Sequence, residues 1–281
     1  MDNSYGIQNL QEANLRIMDE IDRICRKYGI RYMLDSGTLI GAVRHGGFIP
    51  WDDDMDIAMT RKEWERFRTL APRELPAEME LILPEQLADF GAFYDFTARV
   101  ILKPSRRRPP DEESAWYHEI TNHLWVDIFL IDRIPDDPVR DFLMRTEQKV
   151  IYALAMAYRF RVDESKYSTF HRLCVRAGRL LGRLVPVRTL VRWQDRAGRR
   201  YAGKQTKRVF YSTYQPDYLY VTLERRWTED LTEIGFEGRQ YRISACYDEI
   251  LKEVYGDYMK LPPEEARKPS HAPGEALIYD D

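Results

Sequence analysis

The chain has 281 residues, 44% apolar and 12% aromatic, with a formal net charge of −3. That is material for one large domain, or one core with a sizeable appendage; it excludes wholesale disorder, and so small a charge singles out no class of partner. Three scattered cysteines, Cys25, Cys174 and Cys246, exclude a disulfide framework or a paired zinc site and fit a reducing, cytoplasmic setting.

Leu10, Asn14, Ile17, Ile21, Ile24 and Tyr28 recur at three- and four-residue steps, a stripe with one polar exception, which predicts a helix over 8–28. Gly29 suits its C-terminal cap. Arg31–Leu34 reads as a short strand, Ser36–Arg44 as a short helix broken by His45-Gly46-Gly47, and Asp54–Thr60 as a strand. Thr60-x-x-Glu63 matches a capping box for a helix over 61–70. Residues 78–101 look like two strands, the second Ala92–Ile101, followed by a basic, proline-containing loop over 103–111. Leu124–Ile131 is the most β-like run of the chain. Residues 137–204 read as three helices; strands return from Val209, and a helix over 247–255 ends at Gly256 and Pro262-Pro263. This order suggests an α/β (α+β) mixed-sheet core with a helical insertion, divided at 1–135, 136–208 and 209–281. No stretch approaches the roughly 20 apolar residues a spanning helix needs, and the first residues lack a signal-peptide pattern.

The chemistry concentrates between residues 34 and 59. Asp54 and Asp56 are separated by one residue, so on a strand they share a face. Two carboxylates there suit a hard divalent cation such as Mg²⁺ or Mn²⁺, which takes oxygen ligands. Asp127 sits between Val126 and Ile128, where an ionised carboxylate carries a heavy desolvation cost unless a partner offsets it. Its strand is expected beside that of Asp54 and Asp56, completing a three-carboxylate site; a satisfied buried aspartate is the plainer alternative. Asp52 and Asp53 read equally well as surface turn residues. Ser36-Gly37 could offer backbone N–H groups at a helix start to a phosphate, or only an N-cap. Arg44 could clamp a diphosphate or complement its helix end.

From 161 to 208 arginines and lysines interleave with leucines. Such a segment fits an anionic membrane or a polyanionic acceptor, or else an insertion packed on the core with a solvated basic face. No nucleic-acid module is recognisable.

The run LDSGTLIGAVRHGGFIPWDDDMDIAM resembles the signature of the LicD family, which includes fukutin and fukutin-related protein. VDIFLID resembles its second acidic motif, and FEGRQY and YGDYMKLPPEEARKPSH its C-terminal ones. The likeness covers about 8–135 and 234–271. It implies a nucleotidyltransferase-like fold and transfer of a phospho-alcohol from a CDP-activated donor to a glycan hydroxyl, with phosphocholine from CDP-choline as the bacterial example and ribitol phosphate as the animal one. Carried over, it makes Asp54, Asp56 and Asp127 the catalytic ligands of two Mg²⁺ (or Mn²⁺) ions and puts Ser36, Gly37, Thr38 and Arg44 near the donor phosphates, with Lys260 and His271 further candidates. Arg99, expected with Arg44 to bind the donor phosphates, stands where many relatives have lysine, and Ala266 where a basic residue is usual. The expected acceptor is a cell-surface glycan or its lipid-linked precursor, met in the cytoplasm or at the inner face of the membrane. A nucleotidyltransferase releasing pyrophosphate and a non-catalytic glycan- or membrane-binding protein are the competing readings.

Overall fold

The computed structural model describes residues 5–163, 168–269 and 277–278. Helix α1 (Gln8–Tyr28) ends at Gly29, whose left-handed backbone (φ 60°) returns its N–H to the Arg26 and Cys25 carbonyls, a conformation glycine adopts without strain. Strand β1 keeps only Met33–Leu34, because the Arg31 N–H goes to the Glu63 carboxylate rather than to a neighbouring strand. Helix α2 (Ser36–His45), strand β2 (Met55–Thr60) and helix α3 (Arg61–Glu74) follow. The expected capping box does not form: Glu63 accepts from Arg31 and Arg66 instead.

The two strands expected over 78–101 are β3 (Met79–Ile82) and β4 (Ala98–Leu102), with a short helix α4 (Pro84–Asp89) between them. β4 starts at Ala98, not Ala92, because the Asp95 carboxylate takes the Thr97 N–H at 2.9 Å, a local turn that competes with the ladder. The basic loop holds β5 (Ser105–Arg106), and α5 (Glu112–Trp116) follows. β6 (Leu124–Ile134) is longer than its apolar run. The insertion contains α6 (Pro138–Ala155), α7 (Thr169–Gly182) and α8 (Val187–Arg199). Then come β7 (Arg208–Tyr211), β8 (Leu223–Glu224), the hairpin β9 (Leu231–Phe236) and β10 (Arg239–Ser244), α9 (Tyr247–Tyr255), and β11 (Leu277–Ile278), which pairs with β5.

Among the described residues the main sheet has seven strands in the path β1-β2-β6-β4-β3, with β7 and β8 extending from β6. β2 and β6 are parallel and the other pairings antiparallel, the mixed sheet expected. β6 is its hub: the first half pairs with β2 and β4, the second with β7. Met55, Ile57, Val126 and Ile128 turn one face of the sheet toward Ile17 and Phe67 in the largest apolar cluster. α6 and α8 close a second cluster around Ile151, Leu190 and Val191, against Phe93 and Phe96.

A buried ion pair ties the sheet to the insertion. Arg61 donates from Nε to Asp132 Oδ1 at 2.9 Å and from Nη1 to Asp195 of α8 at 2.8 Å, and the Asp132 side chain is fully buried. Breaking such a pair strands a charge in the interior. Arg61→Met should therefore destabilise the fold by about 3–5 kcal/mol in urea unfolding, and Arg61→Met with Asp132→Leu should recover most of that loss.

Candidate active site

The parallel pairing sets Asp56 directly across from Asp127. Paired residues on neighbouring strands share a face, so the two carboxylates project to the same side, and Asp54, two residues before Asp56, projects with them. The start of α2 holds this strand. The Thr38 hydroxyl accepts the Asp56 N–H at 2.8 Å, and the Asp35 N–H donates to the Asp56 carbonyl at 3.0 Å. Asp35 is itself buried, its carboxylate accepting from Tyr211 (2.8 Å) and Tyr214 (2.7 Å). Ser36 takes a positive φ of 50°, unusual for a residue with a side chain, and its hydroxyl meets that of Tyr214 at 3.0 Å. At Gly37 a Cβ would fall 2.5 Å from Asp52 Oδ2, so only glycine lets the helix and the acidic loop approach this closely.

The loop is anchored from the other side by α1. Gln11 donates to the Asp52 carbonyl at 3.0 Å, and Asn14, the polar exception in the apolar stripe, to the Asp53 carbonyl at 2.6 Å. Asp53 is buried and Asp52 half-buried, which corrects their reading as surface turn residues. Carboxylate oxygens of Asp52, Asp53 and Asp54 lie within 4.8 Å of one another. Burial, then the charges of Asp54 and Asp53, push the Asp52 carboxyl up to about 7. Asp56 is held well above its ordinary value by burial and then by Asp127 and Asp54. Asp127 is raised by burial, against the opposing pull of Arg99. Each shift reports first the burial of a carboxyl and then, at Asp52 and Asp56, the neighbouring carboxylates. The clustered oxygens of Asp52, Asp53 and Asp54 are the donors Mg²⁺ and Mn²⁺ take, and Asp56 and Asp127 face one another across the adjoining strand pair.

On the far side of Asp127 stands a cationic and aromatic support. Arg99 donates to Asp127 Oδ1 at 2.9 Å and to Asp95 Oδ2 at 2.8 Å, and the indole N–H of Trp125 takes Asp127 Oδ2 at 3.0 Å. The Arg99 guanidinium lies 4.5 Å from the Trp125 ring centre and that of Arg107 3.7 Å from it. Arg107 also reaches Asp54 Oδ1 at 3.1 Å. Burial disfavours the Arg99 charge, but Asp127 and Asp95 more than compensate and raise it. The aspartates open on a cleft of about 500 Å³ lined by Ser36, Asp54, Asp56, Asp127, Tyr214 and Tyr255 among others.

Of the residues expected at the site, Ser36, Asp54, Asp56 and Asp127 meet at this cleft. Thr38 is buried and engaged with the Asp56 backbone. Arg99 is only 2% exposed, its fork committed to two aspartates. Arg44 donates to the Tyr258 carbonyl at 2.8 Å, at the opposite end of α2 from Ser36, roughly 12 Å along the axis. Lys260 is exposed beyond α9, and His271 falls outside the described residues. Sequence reasoning missed Asp35, Asp95, Arg107, Trp125, Tyr214 and Tyr255. Trp125 was within reach, since it shares a strand face with Asp127; the basic loop carrying Arg107 was noticed without a role.

A family pattern described as LicD/FKTN/FKRP, nucleotidyltransferase domain, matches residues 29–158. The chain is 30% identical to the lipopolysaccharide cholinephosphotransferase LicD of Haemophilus influenzae, over 94% of its own length and 96% of that protein's. It is 55% identical to the ribitol 5-phosphate transferase FKRP of Homo sapiens over 31 residues, 11% of this chain and 6% of that one. Over 70 residues it is 40% identical to an uncharacterized protein of Rickettsia typhi, 25% of this chain and 23% of that one.

Thr38→Val removes the acceptor for the Asp56 N–H at the same size. It should cost about 1–3 kcal/mol in denaturant unfolding. Because the folded Asp52 carboxyl is pushed up to about 7 from an ordinary 3.8, the folded state holds the proton more tightly than the unfolded state across that range. Wild type should therefore lose stability relative to Asp52→Asn as pH rises from about 4 to about 7, read as the difference in melting temperature between the two proteins.

Proposed function

The chain belongs to the LicD/fukutin/fukutin-related protein family and is a phosphotransferase, and on that basis we propose that it moves a phospho-alcohol group, phosphocholine-like, from a CDP-activated donor to a hydroxyl of a cell-surface glycan or its lipid-linked precursor. The observation that supports this most strongly is the in-register facing of Asp56 and Asp127 across the parallel β2–β6 pair, with Asp54 beside them at the cleft. Asp54, Asp56 and Asp127 would hold two Mg²⁺ or Mn²⁺ ions. Bound there, the ions would supply the positive charge this cluster lacks and neutralise the oxygens of a diphosphate.

The protein's own groups account for the rest. The acceptor oxygen attacks the phosphorus distal to cytidine. The bond from that phosphorus to the bridging oxygen breaks, and CMP leaves with the electron pair. The hydroxyl proton passes to Asp127, the carboxylate whose orientation at the cleft is fixed. Arg99 and Trp125 each hold one Asp127 oxygen, so the carboxylate is fixed in orientation before substrate arrives. This assigns Arg99 to positioning Asp127 rather than to direct phosphate contact. Ser36 and the first N–H groups of α2, at the cleft wall, are the groups left to meet donor phosphate.

The nucleotidyltransferase description of the family pattern favours one competing chemistry, transfer of a nucleotide with pyrophosphate release. Incubation with Mg²⁺ and a panel of CDP-alcohols separates the two: CMP should accumulate, and pyrophosphate from nucleoside triphosphates should not. Asp54→Asn and Asp56→Asn should abolish CMP release while leaving the circular dichroism spectrum unchanged; full turnover in either variant contradicts the proposal. Arg99→Met, which removes both the charge and the fork that hold Asp127, should lower kcat about 10–100-fold.

A further inference from the structure

Two helices of the insertion carry arginines among apolar residues, yet they use them in opposite ways. α8 packs as an amphipathic helix of a soluble protein does: Val187, Leu190, Val191 and Ala197 are buried. α7 does not. Its close contact with α6 is made by glycines: a Cβ on Gly178 would meet the Ala153 carbonyl oxygen at 2.8 Å, and one on Gly182 the Leu154 carbonyl oxygen at 2.0 Å. Backbone-to-backbone seating through Gly178 and Gly182 leaves the leucines with nowhere to go but outward. Leu173, Leu180 and Leu181 are 67, 71 and 54% exposed, and Leu184, in the turn that follows, is 79% exposed.

At 100° per residue the side chains of α7 divide into three stripes. His171, Val175, Gly178 and Gly182 face inward. Leu173, Leu180, Leu181 and Leu184 form an outer stripe. Arg172, Arg176, Arg179 and Arg183 lie between the two, three of them directly preceding a leucine of the stripe. From Thr169 to Gln194 the chain carries six arginines and neither aspartate nor glutamate, against a net charge of −3 for the whole. Four of these arginines, Arg172, Arg176, Arg179 and Arg183, fall in α7 and the turn after it, beside the exposed leucines.

We propose that this face of α7 docks on an anionic lipid surface, the leucines entering the headgroup–acyl boundary and the arginines meeting lipid phosphates. A helix with an apolar stripe flanked by a cationic one is the pattern such surfaces select. A second copy of this chain is the poorer occupant, because a symmetric contact would set two arginine stripes against each other. The inward face of the helix completes the geometry: His171 and Val175 border a cavity of about 240 Å³ that shares Gln215 with the acidic cleft. A docked α7 thus stands one cavity away from the aspartates.

Sedimentation with vesicles tests this without any donor, so its outcome is separate from that of the reaction assay. Wild type should sediment with phosphatidylcholine vesicles containing phosphatidylglycerol and not with phosphatidylcholine alone, and the binding should weaken as salt rises. Leu180→Glu/Leu184→Glu should weaken it at least about tenfold, and Arg176→Gln/Arg183→Gln at least about tenfold, both with unchanged circular dichroism and unchanged CMP release in solution. Wild type that stays in the supernatant with anionic vesicles, equal binding to neutral ones, or a leucine variant that binds as wild type does would overturn the proposal. So would light scattering that shows a dimer which Leu180→Glu/Leu184→Glu converts to monomer.

Discussion

The site depends on how β2 is laid beside β6. In the observed register Asp56 faces Asp127, while Met55, Ile57, Val126 and Ile128 point to the opposite side and into the main apolar cluster. A slip of one residue would exchange these sets, burying a carboxylate in hydrocarbon and exposing isoleucine to the cleft. The hydrophobic core therefore enforces the register, and the register delivers the carboxylates.

Holding acids together in this way is unfavourable, and the surrounding structure is arranged to resist it. The strand carrying Asp56 is gripped at N–H and C=O from the first turn of α2. The preceding loop is gripped at two carbonyls from α1. Asp127 is gripped at both oxygens by Arg99 and Trp125. None of these contacts removes the cost of burying the acids or the repulsion among them, and both show, burial first, in the elevated proton affinity of Asp52 and Asp56. The proposed cations would relieve the like charges that these clamps keep close.

Local patterns were legible in the sequence. The apolar stripe of α1 and its Gly29 cap define that helix over 8–28, and the run from Tyr247 to Gly256 defines α9. Asp127 inside an apolar strand demanded an offsetting partner, and the structure supplies the Arg99 guanidinium and the Trp125 indole N–H. Long-range pairings were not legible. Asp35 with Tyr211 and Tyr214, Arg107 with Asp54, and Asn14 with the Asp53 carbonyl join residues whose separation carries no periodic signal. The faces of α7 were misleading for another reason: its leucine spacing reads as a packed helix, and only the seating of Gly178 and Gly182 on α6 shows which side is turned out.

The claim at the centre is that these carboxylates bind divalent ions, and direct counting of ions tests it most simply. Mn²⁺ titrated into the protein, with the free ion read by electron paramagnetic resonance, should show about two bound ions in wild type and loss of tight binding in Asp56→Asn. Mn²⁺ that remains free with wild type, or binds Asp56→Asn equally well, would contradict the account.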